Sequence, residues 1–128
     1  MERAQITIVV GARAAMRQST RDALTSAGFT VAAECTDLAE TLAAVARWRP
    51  DVCVLDRELP GGGLAAIAAL VVPGRQPKVI VVGGGDSPAE VRAARLAGAT
   101  DCVPGTLDPE RLAASVAAAT RHTRRSKT

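Results

Sequence analysis

The sequence has very few aromatic side chains, a single histidine and no closely spaced cysteines. Aromatic residues make up 2% of its 128 residues, and tyrosine is absent. The three cysteines, Cys35, Cys53 and Cys102, stand alone among apolar residues with no CxxC spacing, so neither a zinc site nor a disulfide framework is indicated. We expect buried, reduced thiols, because free cysteine behaves as a small hydrophobic residue.

Long apolar runs and a signal peptide are also missing. Hydrophobic residues make up 48% of the chain, but no run approaches the roughly 18 apolar residues that indicate a membrane span. The start, MERAQ, lacks the basic and then apolar layout of a signal peptide. We therefore expect a cytoplasmic protein with no membrane partner, and the length predicts a single domain.

Basic charge is concentrated at the C-terminal end. The net charge is +3, but the last eight residues, RHTRRSKT, hold four of the 16 basic residues and no acid, which leaves 12 bases against 13 acids elsewhere. We expect a domain over residues 1–120, followed over 121–128 by a basic tail or the start of a linker. A basic tail can contact phosphates, but a solvated end is the more ordinary case, so we do not expect this chain itself to bind nucleic acid.

Strand and helix patterns alternate along the chain. Five apolar, β-branched segments predict strands, at Gln5–Val10, Thr30–Glu34, Val52–Asp56, Lys78–Val82 and Asp101–Val103. Helical patterns follow each of them, over residues 13–28, 37–50, 64–71, 87–98 and from 108 onward. This order predicts an α/β fold, a doubly wound five-stranded parallel sheet with (βα)5 order and helices on both faces. The second and fifth strands are short, as edge strands tend to be, and the others read as central strands.

The third helix, from Leu64 to about Val71, has no polar face. A helix that is apolar all round is usually buried or covered by a partner. Two interpretations remain open, an alanine-rich packing helix, which the sequence favours, and a contact surface.

Ligands of doubly wound folds bind outside the carboxyl ends of the central strands. The three ends predicted here are Val10-Gly11-Ala12, Leu55-Asp56-Arg57-Glu58 and Val82-Gly83-Gly84-Gly85. The candidate functional residues are therefore in these loops.

The segment RPDVCVLDRELPGGG resembles the phosphoacceptor segment of response-regulator receiver domains, the CheY-like, flavodoxin-like family. The likeness continues in KVIVVGGGDSPAEVRAARLAGATDCV and LDPERLAASV, and covers residues 5–120. Among receiver domains, the chain is most similar to the N-terminal domains of NarL/LuxR-type transcriptional regulators. The resemblance implies that Asp56 occupies the position that accepts the phosphoryl group.

Other working positions of the family carry different residues here. The acidic pair that helps to hold magnesium in the family corresponds to Gly11 and Ala12, and the hydroxyl residue at the end of the fourth strand corresponds to Gly83. The family lysine at the end of the fifth strand corresponds to Gly105, or to Pro104 with a shift of one residue.

These losses act together on the expected chemistry. Phosphoryl transfer depends on metal and cationic groups that stabilise charge on the phosphoryl oxygens. Magnesium affinity depends on carboxylate ligands, so with Asp56 alone we expect no metal site, with magnesium binding weak or absent and no other cofactor. Asp56 then has three interpretations: a poor acceptor or one with an unusual donor, a carboxylate that accepts backbone N–H bonds, or an ion-pair partner of Arg13.

The neighbouring residues also have alternative interpretations. Arg13 either reaches Asp56 in place of the metal or points into solvent, and its place on the first helix favours solvent. Glu58 either supplies a metal oxygen or is a solvated loop residue, which is the more usual case. Arg57 and Gly84 are further candidates for lining the site, and the three glycines from Gly83 form either an anion site at a helix start or a flexible loop; they match no full phosphate-loop spacing.

We predict a degenerate, or pseudo, receiver domain that serves as a regulatory interaction module and is not an enzyme, with phosphorylation of Asp56 weak or absent. The expected partners are a second copy of the chain, a histidine kinase or another signalling protein, and DNA only through an attached domain. The homodimer is expected through the fourth and fifth helices. Its contact residues would be Ala93, Ala94, Ala113 and Ala117, with Arg92, Arg95 and Arg111 pairing with acids such as Asp101. The alternatives are a conventional phospho-Asp56 switch controlling a DNA-binding domain and a small-ligand sensor.

Overall fold

The computed structural model describes residues 6–71, 77–84, 87–103 and 108–126, with side chains given as far as residue 121. The strands are β1 (Thr7–Gly11), β2 (Thr30–Cys35), β3 (Val52–Asp56), β4 (Lys78–Val82) and β5 (Asp101–Val103). The helices are α1 (Ala14–Ser26), α2 (Leu38–Trp48), α3 (Leu64–Leu70), α4 (Pro88–Ala97) and α5 (Pro109–Ser126). Among these residues, no helix is both long and apolar enough to cross a membrane.

All neighbouring strands are parallel, in the order β2-β1-β3-β4-β5. The predicted α/β fold and the edge positions of β2 and β5 are therefore confirmed. The bounds of β3, β4 and β5 are also as predicted. The expectation that β2 is short was wrong, because it has six residues and continues through Cys35 beside Gly11. Strand β1 likewise extends to Gly11.

Two apolar layers enclose the sheet. One lies between the sheet and helices α1 and α5 and includes Ile8, Leu24 and Leu112. The other lies against α3 and α4 and includes Leu55 and Ile67. Side chains alternate between the two faces of a strand, which is why neighbours such as Val54 and Leu55 belong to different layers.

The helix ends follow the sequence signals. Asp37 caps α2 and Ser87 caps α4, each accepting a hydrogen bond from the backbone N–H three residues later. Helix α3 buries Ala66, Ile67 and Leu70, which supports the interpretation of an alanine-rich packing helix. The three cysteines are buried and free, as predicted.

Helix α5 does not end at residue 120 but continues to Ser126. Most of the segment expected to be a tail or linker is therefore helical in this structure.

Candidate functional site

The candidate site lies where β1, β3 and β4 end together at the carboxyl edge of the sheet. Gly11 pairs with Leu55, and Asp56 pairs with Val82, so the strand ends are in register. The Asp56 side chain is completely buried at this edge. A buried carboxylate needs hydrogen bonds or a partner charge, so its surroundings determine what it can do.

Arg13 surrounds the Asp56 carboxylate with three N–H donors. Its backbone N–H donates to Oδ2 at 2.9 Å, its Nε donates to the same oxygen at 2.7 Å, and its Nη2 donates to Oδ1 at 3.3 Å. A fourth bond reaches Oδ1 from the backbone N–H of Glu58 at 3.0 Å. Both carboxylate oxygens therefore have protein donors.

The backbone at the start of α1 explains how Arg13 reaches the site. Arg13 is the N-cap residue and is extended, with φ −62° and ψ 157°. Helix N-termini have N–H groups without partners inside the helix, and the Arg13 side chain folds back beside its own N–H toward Asp56. The sequence favoured an Arg13 side chain that points into solvent, and this prediction was wrong. Even so, 37% of the Arg13 side chain remains exposed.

The pKa values reflect this arrangement. Burial by itself raises the pKa of the Asp56 carboxyl, but the Arg13 side-chain hydrogen bond, the two backbone N–H bonds and the Arg13 charge together hold it below its ordinary value. The hydrogen bond and the charge of Asp56 raise the pKa of Arg13. The pair is therefore ionised at neutral pH.

Glu58 lies at the outer side of the pair. Its Oε1 is 3.6 Å from Arg13 Nη1, and 61% of its side chain is exposed. The residue is thus the solvated loop side chain that the sequence favoured, with a loose contact to the guanidinium.

Arg57 and the glycines after β4 border the site on another side. The Arg57 backbone N–H donates to Val82 O at 2.9 Å, and its side chain leads away from Asp56, across Gly84, to Glu90 of α4 at 3.6 Å. A Cβ at Gly83 would lie 3.5 Å from Asp56 Oδ1, so this glycine does face the carboxylate. Gly105 and Gly85 lie outside the described residues.

Thr41 is a site neighbour that sequence reasoning missed. It is buried on α2, and its hydroxyl donates to the Asp37 carbonyl oxygen at 2.7 Å. A Cβ built at Gly11 would overlap the Thr41 hydroxyl. Thr41 therefore fills the space next to the position where the family carries an acid, and no short-range sequence signal links the two residues.

These residues do not fit a magnesium ion. Magnesium requires oxygen ligands in near-octahedral geometry, mostly carboxylates and water. The oxygens of Asp56 are already bonded to N–H groups, and Gly11 and Ala12 offer no carboxylate. Within the described ranges, no group of three or more histidine, cysteine or acidic side chains is placed to hold a metal.

Comparisons with known proteins agree with this architecture. Residues 7–117 match the family described as "Response regulator receiver domain". The chain is 30% identical over 106 residues to the chemotaxis protein CheY of Thermotoga maritima, covering 82% of this chain and 88% of that protein. The signal receiver domain of the putative response regulator NarL from Mycobacterium tuberculosis superposes with a TM-score of 0.80 at 26% identity, covering 92% of this chain and 98% of that one.

A longer relative contains a similar segment. The chain is 37% identical over 110 residues to protein-glutamate methylesterase/protein-glutamine glutaminase 5 of Myxococcus xanthus, covering 82% of this chain and 32% of that protein. The chain thus spans about a third of that relative's length. Because the family match covers most of the chain and the sheet has the same parallel five-stranded fold, this chain belongs to the response regulator receiver domains of two-component signal transduction.

Proposed function

We propose that this chain is a pseudo-receiver, a regulatory interaction module in which the Arg13 guanidinium takes the place of the metal and the phosphoryl group at Asp56. The observation that carries the proposal is the set of three Arg13 N–H donors on the Asp56 carboxylate, at 2.7–3.3 Å. Receiver domains regulate other proteins rather than catalyse, and we extend this role to the present chain.

The ion pair opposes phosphorylation in two ways. An acceptor carboxylate must present a free oxygen to phosphorus, and here each oxygen accepts two N–H bonds. The transition state also requires cationic groups around the phosphoryl oxygens, but the Arg13 guanidinium is already paired with the Asp56 carboxylate, with Nε 2.7 Å from Oδ2. Gly83, at the family's hydroxyl position, supplies no side-chain donor.

The experiment is incubation with acetyl phosphate and magnesium, followed by intact-mass measurement, with Asp56→Asn as the matched control. The proposal predicts no added phosphoryl mass on the wild-type protein. Addition of one phosphoryl group to the wild type and not to Asp56→Asn would overturn the proposal and favour a conventional switch.

We further propose that the module acts as a homodimer through α4 and α5. Leu96 of α4 is 82% exposed, the most exposed large apolar side chain among the described residues. Two details differ from the interface expected from sequence. Ala94 is fully buried in the core, and Asp101 is paired within the chain, with Arg95 at 3.1 Å and Ser115 at 2.7 Å.

Sedimentation or light scattering tests the dimer. A dimer in the wild type that Leu96→Glu dissociates, while Leu42→Glu on α2 leaves it intact, supports the proposal. A monomer at all concentrations contradicts it. Histidine kinases and other signalling proteins are partners of receiver domains generally, and contact with DNA through an attached domain is our proposal for the longer protein.

A further inference from the structure

A small apolar cavity lies between α3 and α4, apart from the Arg13–Asp56 pair. Its volume is about 60 Å³, room for roughly four or five non-hydrogen atoms. The lining residues are Leu55, Arg57, Gly63, Leu64, Ile67, Val81 and Ala94. All of them except Arg57 are apolar or glycine, so the interior suits a short hydrocarbon group.

Among the described residues that line the cavity, Arg57 alone is charged. Its aliphatic stem lies where a side chain at position 84 would be, since a Cβ on Gly84 would overlap the Arg57 Cδ. Its guanidinium Nη2 is 3.6 Å from the Glu90 carboxylate, and 29% of the Arg57 side chain is exposed. Among the described residues the guanidinium makes no closer polar contact, so its N–H donors have capacity for a better-placed acceptor.

We propose that this cavity binds a small carboxylate with a short branched apolar tail. The tail would lie against Ile67, Val81 and Ala94. The ligand carboxylate would accept paired N–H bonds from the Arg57 guanidinium, a geometry that guanidinium and carboxylate share. Glu90, whose side chain is 40% exposed, would move into water and keep its charge solvated.

Binding would connect the cavity to α4. Glu90 is in the first turn of that helix, and Ala94, one turn later, lines the cavity. When the ligand carboxylate replaces Glu90 as the partner of the Arg57 guanidinium, the contacts of α4 change. Helix α4 is also the helix that carries Leu96. Ligand binding at this cavity needs neither Asp56 nor a phosphodonor. The proposal therefore does not depend on the proposed function.

The test uses 4-methylpentanoate as the probe and 4-methylpentanamide, which has the same shape without the charge, as its control. Amide chemical shifts of the intact chain are followed by NMR during each titration. The proposal predicts saturable shifts at Ile67, Val81 and Ala94, with the carboxylate binding about tenfold tighter than the amide, because hydrogen bonds to charged groups are the stronger ones.

Three single-residue variants extend the test. Arg57→Gln is expected to abolish the preference for the carboxylate, and Glu90→Gln to strengthen binding by removing the competing acid. Arg47→Gln, at an exposed position of α2, is expected to leave binding unchanged. The absence of saturable shifts with the carboxylate, equal binding of the amide, or unchanged binding in Arg57→Gln would each overturn the proposal.

Discussion

At the scale of single residues, Asp56 is a buried carboxylate whose charge is stabilised by one partly exposed arginine. Because its pKa is lowered in the folded state, the ionised form contributes stability that is complete above the unfolded-state pKa of about 3.9. The contribution is lost as the pH falls through the lower folded-state pKa. Arg13 thus stabilises the fold at neutral pH and does so less in acid.

The variant Arg13→Gln tests this dependence. Without the guanidinium, the effect of burial on the Asp56 carboxylate is less well compensated, so we expect a higher Asp56 pKa. We also expect unfolding at a lower urea concentration at neutral pH, because the buried charge has lost its partner. The gap between wild type and variant should narrow as the pH falls through the variant's raised Asp56 pKa and on toward the lower wild-type pKa, because protonation of Asp56 removes its interaction with Arg13. Urea denaturation across the acid range measures the gap, and Arg92→Gln is the control. A gap that stays constant with pH would show that Asp56 is not the partner.

Gly11 and Thr41 form a second pair with a measurable coupling. A side chain at position 11 overlaps the Thr41 hydroxyl, so Gly11→Ala should cost about 1–3 kcal/mol by overpacking. Thr41→Ala should cost about 1 kcal/mol through its lost hydrogen bond. We expect the double variant to be more stable than the sum of the single effects, because the overlap disappears. Additive free energies of unfolding would contradict the contact.

At the scale of helices, α1 carries a buried hydroxyl without a partner. Thr20 is fully buried, and its Oγ1 has no hydrogen bond in the structure. An unsatisfied buried hydroxyl costs free energy, so Thr20→Val should raise the free energy of unfolding by about 1 kcal/mol.

Helix α5 provides a matched control for this change. Thr120 is also buried, but its Oγ1 donates to the Val116 carbonyl oxygen at 2.9 Å. Thr120→Val makes the same chemical change as Thr20→Val, also at a buried helical position, but it removes an existing hydrogen bond. Thermal or urea unfolding should therefore show stabilisation at position 20 and none at position 120, and equal effects at both would refute this explanation.

At the scale of the whole molecule, the fold could be predicted because its signals are local. Apolar strands, the caps Asp37 and Ser87, and stops such as Gly28 repeat along the chain, and alternation determines a parallel sheet. The position of Asp56 at the end of β3 followed from the same pattern. The orientation of Arg13 did not, because it depends on the extended backbone of an N-cap and on a carboxylate 43 residues away.

Other parts of the site depend on long-range packing in the same way. The contact between Gly11 and Thr41 joins a strand end to a helix 30 residues later, and the path of Arg57 across Gly84 to Glu90 depends on how α4 packs. No periodic pattern or motif in the sequence predicts these contacts.

The most direct test of the account is a magnesium titration of the wild-type protein, followed by NMR at the amides of Arg13 and Glu58, whose N–H groups donate to Asp56. If the guanidinium has replaced the metal, these resonances should show no saturable shift up to tens of millimolar magnesium. Saturable shifts at both amides, lost in Asp56→Asn, would show that a metal displaces Arg13 and would contradict the account.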